Sequence, residues 1–324
     1  MKYSLISKYR DELMGIAILN VLVLHFLSWT KFSYPIWVHS VFSYFGSLIF
    51  TEGFLFLSGF GLFYSLNKKN NLKSFYIKRF QRLLVPYWIM VFPFFLAWCI
   101  FGKFDVGELF LRLTTLQFWF HGNFSGMWYI SVSLVLYLMT PLICKVIKSG
   151  VGIIILLMIT YILLWLLDSF AKDYYNITLI GLTKIQFFFL GMWVGKESFN
   201  DKQIYWLWLW LIIALWFISK TFISCSWIYP AQDLYRIMGI IICCLILSML
   251  NSLYFIHSFL KWFGKYTLEI YILHLMFFEV FENIIPNIYI HVAIAIGCAM
   301  SLCMPIHNLC TIMLNKHDLL KKIT

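Results

Sequence analysis

The sequence predicts an all-α, polytopic transmembrane helix bundle of about ten spans. Of the 324 residues, 62% are hydrophobic and only 12% are charged, and the mean hydropathy is +0.84. A water-soluble domain does not need so apolar a chain to build its core. Apolar runs of about 20 residues, the length that crosses a hydrocarbon layer about 30 Å thick, recur along the sequence. Lipid is therefore the expected solvent.

The expected spans cover residues 13–29, 42–65, 83–101, 127–147, 151–167, 180–195, 203–224, 236–254, 266–285 and 288–313. Helices are preferred to a closed barrel because the apolar runs are continuous, whereas barrel strands alternate lipid-facing and lumen-facing residues. The links are short, and the longest polar stretch is too short to build a separate core. Residues 1–324 are therefore expected to form a single transmembrane domain.

The net charge of +11 could indicate a nucleic acid partner, so the positions of the basic residues decide its meaning. Most fall in alternate links, on one side of the predicted bundle: Lys2, Lys8, Arg10, Lys68, Lys69, Lys73, Lys78, Arg79, Arg82, Lys145, Lys148, Lys196, Lys202, Lys261, Lys265, Lys316, Lys321 and Lys322. By the positive-inside rule both termini are cytoplasmic, which agrees with an even number of spans. The basic surplus is thus a topology signal that also favours an anionic cytoplasmic ligand, and no nucleic acid partner is expected.

The eight cysteines show no pattern typical of a metal site or a disulfide framework. Most lie inside predicted spans, where they are read as small packing residues, and no metal is expected. Gly191 and Gly195 form a GxxxG pattern, which favours close packing of two membrane helices.

Three titratable side chains fall near the middle of predicted spans, where each has an insertion cost of at least about 2.5 kcal/mol. His25 lies roughly 16 Å beyond the cytoplasmic end of its span, and His274 and Glu52 reach similar depth. A carboxylate that orients a histidine suits general-base chemistry on a hydroxyl group. Taken singly, each histidine is as readily a packing group, and Glu52 is as readily paired with a lysine or a backbone amide. Their common depth favours the catalytic interpretation, while a position of Glu269 toward the cytoplasmic interface is left open.

A second cluster, Lys78-Arg79-Phe80-Gln81-Arg82, enters the membrane just before Pro86-Tyr87. Arg79 and Arg82 share a helix face, where two guanidinium groups can bind phosphate oxygens in a bidentate manner. Basic residues at a cytoplasmic helix start are also ordinary topology anchors. Because one arginine would suffice for orientation, the pair favours an anion-binding entrance.

Together these stretches resemble the acyltransferase-3 family of membrane O-acyltransferases over essentially the whole chain. The resemblance rests on four motifs: the first span from Arg10 to His25, the second span from Glu52 through Ser58-Gly59-Phe60, the Arg79-x-x-Arg82 pair with Pro86-Tyr87, and Gly264 to His274. Two positions depart from the pattern. Met14 stands where many relatives have arginine eleven residues before the histidine, and Ser133 where many carry glutamate. An appended hydrolase-like domain, present in some relatives, is not expected.

The resemblance implies transfer of an acyl group, usually acetyl, from cytoplasmic acyl-CoA to a hydroxyl of a cell-envelope sugar or exopolysaccharide. The implied location is the plasma membrane of a bacterium. His25 would act as general base or transient acyl carrier, Glu52 would orient it, and His274 would contact donor or acceptor. The expected CoA-binding residues are Arg79, Arg82, Arg10 and Lys78, and the expected substrate-binding residues are Ser58, Trp128 and Tyr129.

A transporter or flippase for a lipid-linked glycan is the main alternative, because midplane charges and a basic entrance also suit an anionic cargo. Matching Gly/Pro breaks in two halves of the chain, common in transporters, are not seen. A purely structural membrane partner is a third interpretation, which predicts that the polar core could be made apolar without loss of function. The oligomeric state is left open.

Overall fold

The computed structural model describes residues 2–31, 35, 49–68, 71–122, 126–203, 228–282 and 284–323. These residues are almost entirely helical, and the extended pairing among them is one isolated bridge between Lys2 and Gln203. In chain order the helices are α1 (Ser4–Lys8), α2 (Arg10–Thr30), α3 (Thr51–Lys68), α4 (Leu72–Ile100), α5 (Val106–Leu113), α6 (Gln117–His121), α7 (Trp128–Val146), α8 (Gly152–Phe170), α9 (Lys172–Leu182), α10 (Ile185–Phe199), α11 (Ile228–Met249), α12 (Tyr254–Lys265), α13 (Thr267–Phe281) and α14 (Ile288–Ile323).

Six segments of the described chain are long and apolar enough to cross a membrane: Arg10–Thr30, Leu72–Ile100, Trp128–Val146, Gly152–Phe170, Lys172–Phe199 and Ile288–Asn315. They coincide with the spans predicted at 13–29, 83–101, 127–147, 151–167, 180–195 and 288–313. The spans predicted at 42–65, 236–254 and 266–285 overlap α3, α11 and α13, which are not among these six; within α11, Arg236–Met249 is a shorter apolar stretch. The span predicted at 203–224 and the start of the second span lie outside the described residues. The all-helical class is confirmed, and the count of ten stays a prediction.

Helix α8 shows the surface that the bundle presents to its surroundings. Its large apolar side chains are exposed along most of its length, among them Ile155, Met158, Ile159 and Ile162. A surface of this kind would drive aggregation in water but is well solvated by lipid tails. The chain is therefore a multi-pass membrane protein.

Two helix pairs approach so closely that only glycine fits between them. On α10, a Cβ at Gly191 would lie 2.0 Å from the Phe56 carbonyl oxygen of α3, and Gly195 packs against Phe60. The close packing predicted from the GxxxG pattern is confirmed. In the same way, Gly15 of α2 lies against the Leu260 backbone of α12. These contacts fix α2 and α3, the helices that carry His25 and Glu52, within the bundle.

Buried carboxylates join the helices around this core through histidine partners. Glu12 of α2 lies 3.0 Å from His257 Nδ1 of α12. Glu269 of α13 lies 2.7 Å from His307 Nδ1 of α14. Only 3% of Glu269 is exposed, and His307 supplies its partner inside the bundle.

Candidate active site

A cavity of about 550 Å³, which we call the arginine cavity, opens between α2, α3, α4, α12 and α13. Its cationic lining residues are Arg10, Arg79, Arg82, Lys261 and Lys265. Asp11 is the one carboxylate in the same lining. Such an imbalance of charge concentrates anions in the cavity, and the arginine forks are suited to phosphate oxygens.

Helix α4 brings Arg79 and Arg82 together as the sequence predicted. The helix begins after Asn71, whose side chain accepts a hydrogen bond from the Ser74 backbone amide at 3.0 Å, so the arginines lie two to three turns in. Arg79 is half-buried with its guanidinium 5.9 Å from the centre of the Phe75 ring. Both arginines face the cavity because they are three residues apart.

Lys78 does not line the arginine cavity. It lies at a neighbouring hollow of about 110 Å³ that it shares with Arg79 and Arg82. The four basic residues predicted to bind CoA are thus divided: Arg10, Arg79 and Arg82 line the arginine cavity, and Lys78 lies at this hollow.

Arg10 and Met14 lie one turn apart on α2, and both line the arginine cavity. The guanidinium of Arg10 rests over Gly61, where an added Cβ would be 3.6 Å from its Nε atom. That Nε is buried without a hydrogen-bond partner. Arg10 therefore places a positive charge in the cavity wall beside Met14, and its Nε–H group is not used in a hydrogen bond.

His25 and His274 form a direct hydrogen bond, with 2.9 Å between His25 Nδ1 and His274 Nε2. His274 Nδ1 lies 2.8 Å from the carbonyl oxygen of Ile270, one turn earlier on α13. A carbonyl oxygen only accepts, so His274 Nδ1 carries the hydrogen and its Nε2 accepts from His25. In a neutral His25 ring this leaves the lone pair on Nε2, the nitrogen that a base or nucleophile requires.

His25 also lines a second cavity of about 470 Å³, which we call the histidine cavity. Its aromatic walls are Trp29, Phe50, Trp128, Tyr271 and Phe278, and its charged lining residues are Lys184, Glu279 and Glu282. Trp29 stacks between His25, at 4.6 Å between ring centres, and Phe278, at 3.7 Å. His274 is fully buried and lines neither cavity, so it supports His25 from behind.

Glu52 is not placed to orient His25. Its carboxylate binds the Lys184 ammonium of the segment between α9 and α10 at 2.5 Å, and both side chains are largely buried. A buried carboxylate needs a cation or donors nearby, and Lys184 satisfies that need before any histidine can. The orienting partner expected at Glu52 is instead His274.

The three predicted substrate-binding residues divide between the two cavities. Ser58 and Tyr129 line the arginine cavity, with their hydroxyl oxygens 3.4 Å apart. Trp128 lines the histidine cavity, and its ring lies 5.7 Å from the Lys184 ammonium. Neighbouring residues at the start of α7 thus face opposite cavities.

Several lining residues were not singled out as site residues from the sequence, among them Lys184, Lys261, Lys265 and Tyr271. The lysines had been counted only as topology signals, and nothing in hydropathy shows which side of a helix a lysine faces. Tyr271 lies three residues before His274, and this helical spacing was the signal that could have marked it.

Among the described residues, no group of three or more histidine, cysteine, aspartate or glutamate side chains is arranged to hold a metal ion. The described cysteines are all free thiols, and Cys225 lies outside the described residues.

A family model described as an acyltransferase domain matches residues 11–307. The match runs from α2 into α14 and includes most of the residues around both cavities. No curated protein and no solved structure matches the chain.

Proposed function

The chain belongs to the acyltransferase-3 family and is a membrane acyltransferase; we propose that it transfers an acetyl group from cytoplasmic acetyl-CoA to a hydroxyl of a cell-envelope glycan. The observation that carries this proposal is the geometry of His25, whose Nε2 keeps its lone pair and which lines an aromatic cavity that adjoins the anion-attracting cavity at Tyr271.

The donor is assigned to the arginine cavity. Arg10, Arg79 and Arg82 offer planar donors to the nucleotide phosphates, and Lys261 and Lys265 add charge. Ser58 and Tyr129 lie farther along the same cavity, where the apolar arm with its thioester would extend. Because these lysines and arginines belong to the basic links, the positive-inside rule assigns this cavity to the cytoplasm.

His25 is the general base of the proposed transfer. Its Nε2 removes the proton from the acceptor hydroxyl, and the hydroxyl oxygen attacks the thioester carbonyl carbon. The carbon–sulfur bond then breaks, and the protonated imidazole returns its proton to the departing thiolate. The products are the O-acetyl ester and free CoA thiol. His274 and the Ile270 carbonyl hold His25 in the required tautomer throughout.

The acceptor is assigned to the histidine cavity. Trp29, Trp128 and Phe278 present ring faces on which sugar rings can stack, and Glu279 and Glu282 supply acceptors for sugar hydroxyls. A glycan bound here would place one hydroxyl beside His25. The lipid bilayer surrounds the bundle, and no nucleic acid role is proposed.

Replacing His25 with alanine tests the proposal. The variant should lose acetyl transfer by at least about 100-fold while inserting normally, because it removes the ring nitrogen proposed to take the proton from the acceptor hydroxyl. The measurement is CoA release by purified protein, together with the O-acetyl content of surface glycans in cells with and without the gene. His121→Ala, at an exposed helix end away from both cavities, is the matched control.

Normal transfer by the His25 variant would refute the assignment of the base. Absence of any CoA release by the wild-type protein, with glycan O-acetylation unchanged by gene loss, would refute the transferase itself and favour the transporter alternative.

A further inference from the structure

The arginine cavity and the histidine cavity do not merge. Their linings share one described residue, Tyr271 of α13. Every other lining residue of the described chain belongs to one cavity or the other. A thioester held by the arginines therefore meets the Tyr271 ring before it can meet His25.

The Tyr271 side chain is held in place on several sides. Its ring lies edge-on to Phe54 at 6.4 Å, to Tyr129 at 5.7 Å and to His274 at 6.1 Å between ring centres. Only 3% of the residue is exposed. These aromatic neighbours fill the layer between the two cavities and leave the Tyr271 ring as its shared wall.

The hydroxyl of Tyr271 anchors its ring to the backbone that lines the histidine cavity. It donates a hydrogen bond to the backbone carbonyl of Gly126, which lines that cavity. Gly126 has φ of +69°, and an added Cβ would lie 2.8 Å from a Leu275 methyl group, so the position requires glycine. The carbonyl is thus presented at a fixed place, and one hydrogen bond together with ring packing holds the wall closed.

We propose that Tyr271 is a gate that separates the donor thioester from His25 and from the water of the histidine cavity until an acceptor is bound. The proposal rests on the proposed function. In its closed position the ring keeps the thioester away from both the base and water. In its open position it lets the acyl group reach His25. Rotation of one side chain, with loss of the bond to Gly126, is sufficient to join the cavities.

The gate suppresses a defined side reaction. If the cavities join without an acceptor, His25 removes a proton from water, and the water oxygen attacks the thioester carbonyl. The carbon–sulfur bond breaks, giving acetate and CoA thiol, and the proton on His25 passes to the thiolate. Wasteful hydrolysis of this kind is the measurable consequence of an open gate.

The experiment measures acceptor-free hydrolysis of acetyl-CoA by purified protein in lipid nanodiscs. Tyr271→Ala removes the ring and should raise hydrolysis roughly tenfold or more, whereas Tyr271→Phe removes only the bond to Gly126 and should raise it less. Tyr64→Phe is the matched control, because it loses one hydroxyl hydrogen bond, to Ser198 at 2.7 Å, away from both cavities. The double variant Tyr271→Ala/His25→Ala should return hydrolysis to the wild-type level, a result that a merely loosened structure would not give.

The outcomes separate the gate from the transferase. Acetyl-CoA binding, measured by calorimetry, reports the arginine cavity independently of the gate. Unchanged hydrolysis in both Tyr271 variants, with normal acetyl-CoA binding and normal wild-type transfer, overturns the gate alone. If Tyr271→Ala fails to bind acetyl-CoA, the hydrolysis rate of Tyr271→Phe decides, because that variant keeps the ring. Absence of donor binding and transfer in the wild-type protein overturns the proposed function instead.

Discussion

At His25 one hydrogen bond decides which ring nitrogen can act as base. His274 accepts from His25 Nδ1 because its own Nδ1 is committed to the Ile270 carbonyl. Without that acceptor, the His25 ring is free to turn over and to place its hydrogen on the other nitrogen. We therefore expect His274 to orient His25 rather than to contact substrate.

We predict that His274→Ala lowers kcat by about 10-fold to 100-fold and leaves KM for acetyl-CoA nearly unchanged. His274→Gln, whose side-chain oxygen can still accept from His25, should retain more activity than the alanine variant. Steady-state kinetics of CoA release provide both parameters. A rise in KM with unchanged kcat would instead show that His274 contacts the donor.

A second prediction at the residue scale concerns the effect of Arg10 and Met14 on acetyl-CoA binding. Both side chains line the arginine cavity. Met14 stands at the position where many members of the family have arginine. Arg10→Met should weaken acetyl-CoA binding by roughly 10-fold, the loss expected for one charge-assisted hydrogen bond to phosphate. The double variant Arg10→Met/Met14→Arg should recover most of that affinity.

Calorimetry measures the acetyl-CoA affinity of the wild-type protein, of Arg10→Met and of the double variant. Lys31→Met, at the opposite end of α2, is the control for loss of one positive charge. Equal binding by the wild-type protein and Arg10→Met would show that Arg10 does not contact the donor.

At the closest helix contacts, packing depends on glycine. At Gly191 the α10 backbone meets the Phe56 carbonyl of α3, and any Cβ would force the two helices apart. Gly191→Ala should therefore destabilise the protein by about 1–3 kcal/mol. Gly297→Ala is the matched control in a helix, because nothing lies within 4 Å of an added Cβ there. Thermal unfolding in detergent should show a lower midpoint for the first variant only.

The sequence could predict which residues lie at one depth but not which helices face each other. His25 and His274 were placed at the same level by counting residues along their spans, and they are in contact. Glu52 was assigned to the same group, yet its carboxylate binds Lys184. Depth follows from the rise per residue, whereas helix rotation follows from contacts such as those at Gly15 and Gly191, which hydropathy does not encode.

The basic residues of the arginine cavity were likewise recognised only where their spacing lies within one helix. Arg79 and Arg82 were recognised because their spacing on one helix is local information. Lys261 and Lys265 line the same cavity from a distant part of the chain, and only the packing of α2 against α12 brings them there. Lys78, one turn before Arg82, lies at the smaller hollow that it shares with both arginines.

Across the molecule as a whole, charge is divided between the two cavities. The arginine cavity is strongly cationic, whereas Glu279 and Glu282 are among the charged residues of the histidine cavity. In the proposed reaction the first would bind the phosphates of the donor, and the second would bind the hydroxyls of a neutral sugar. The polarity of the bundle thus agrees with donor and acceptor entering from opposite sides.

This division predicts a sided reaction. In sealed inverted vesicles, added acetyl-CoA reaches the face that is cytoplasmic in the cell and should be consumed, whereas right-side-out vesicles should consume it only after permeabilisation with detergent. The reason is that CoA, with several phosphate charges, does not cross lipid, and the basic links that border the arginine cavity are cytoplasmic by the positive-inside rule. Tags at residues 1 and 324 should be cleaved by added protease in the inverted vesicles alone. Consumption by intact right-side-out vesicles would mean that the arginine cavity opens outward and that the bundle is oriented opposite to its charge distribution.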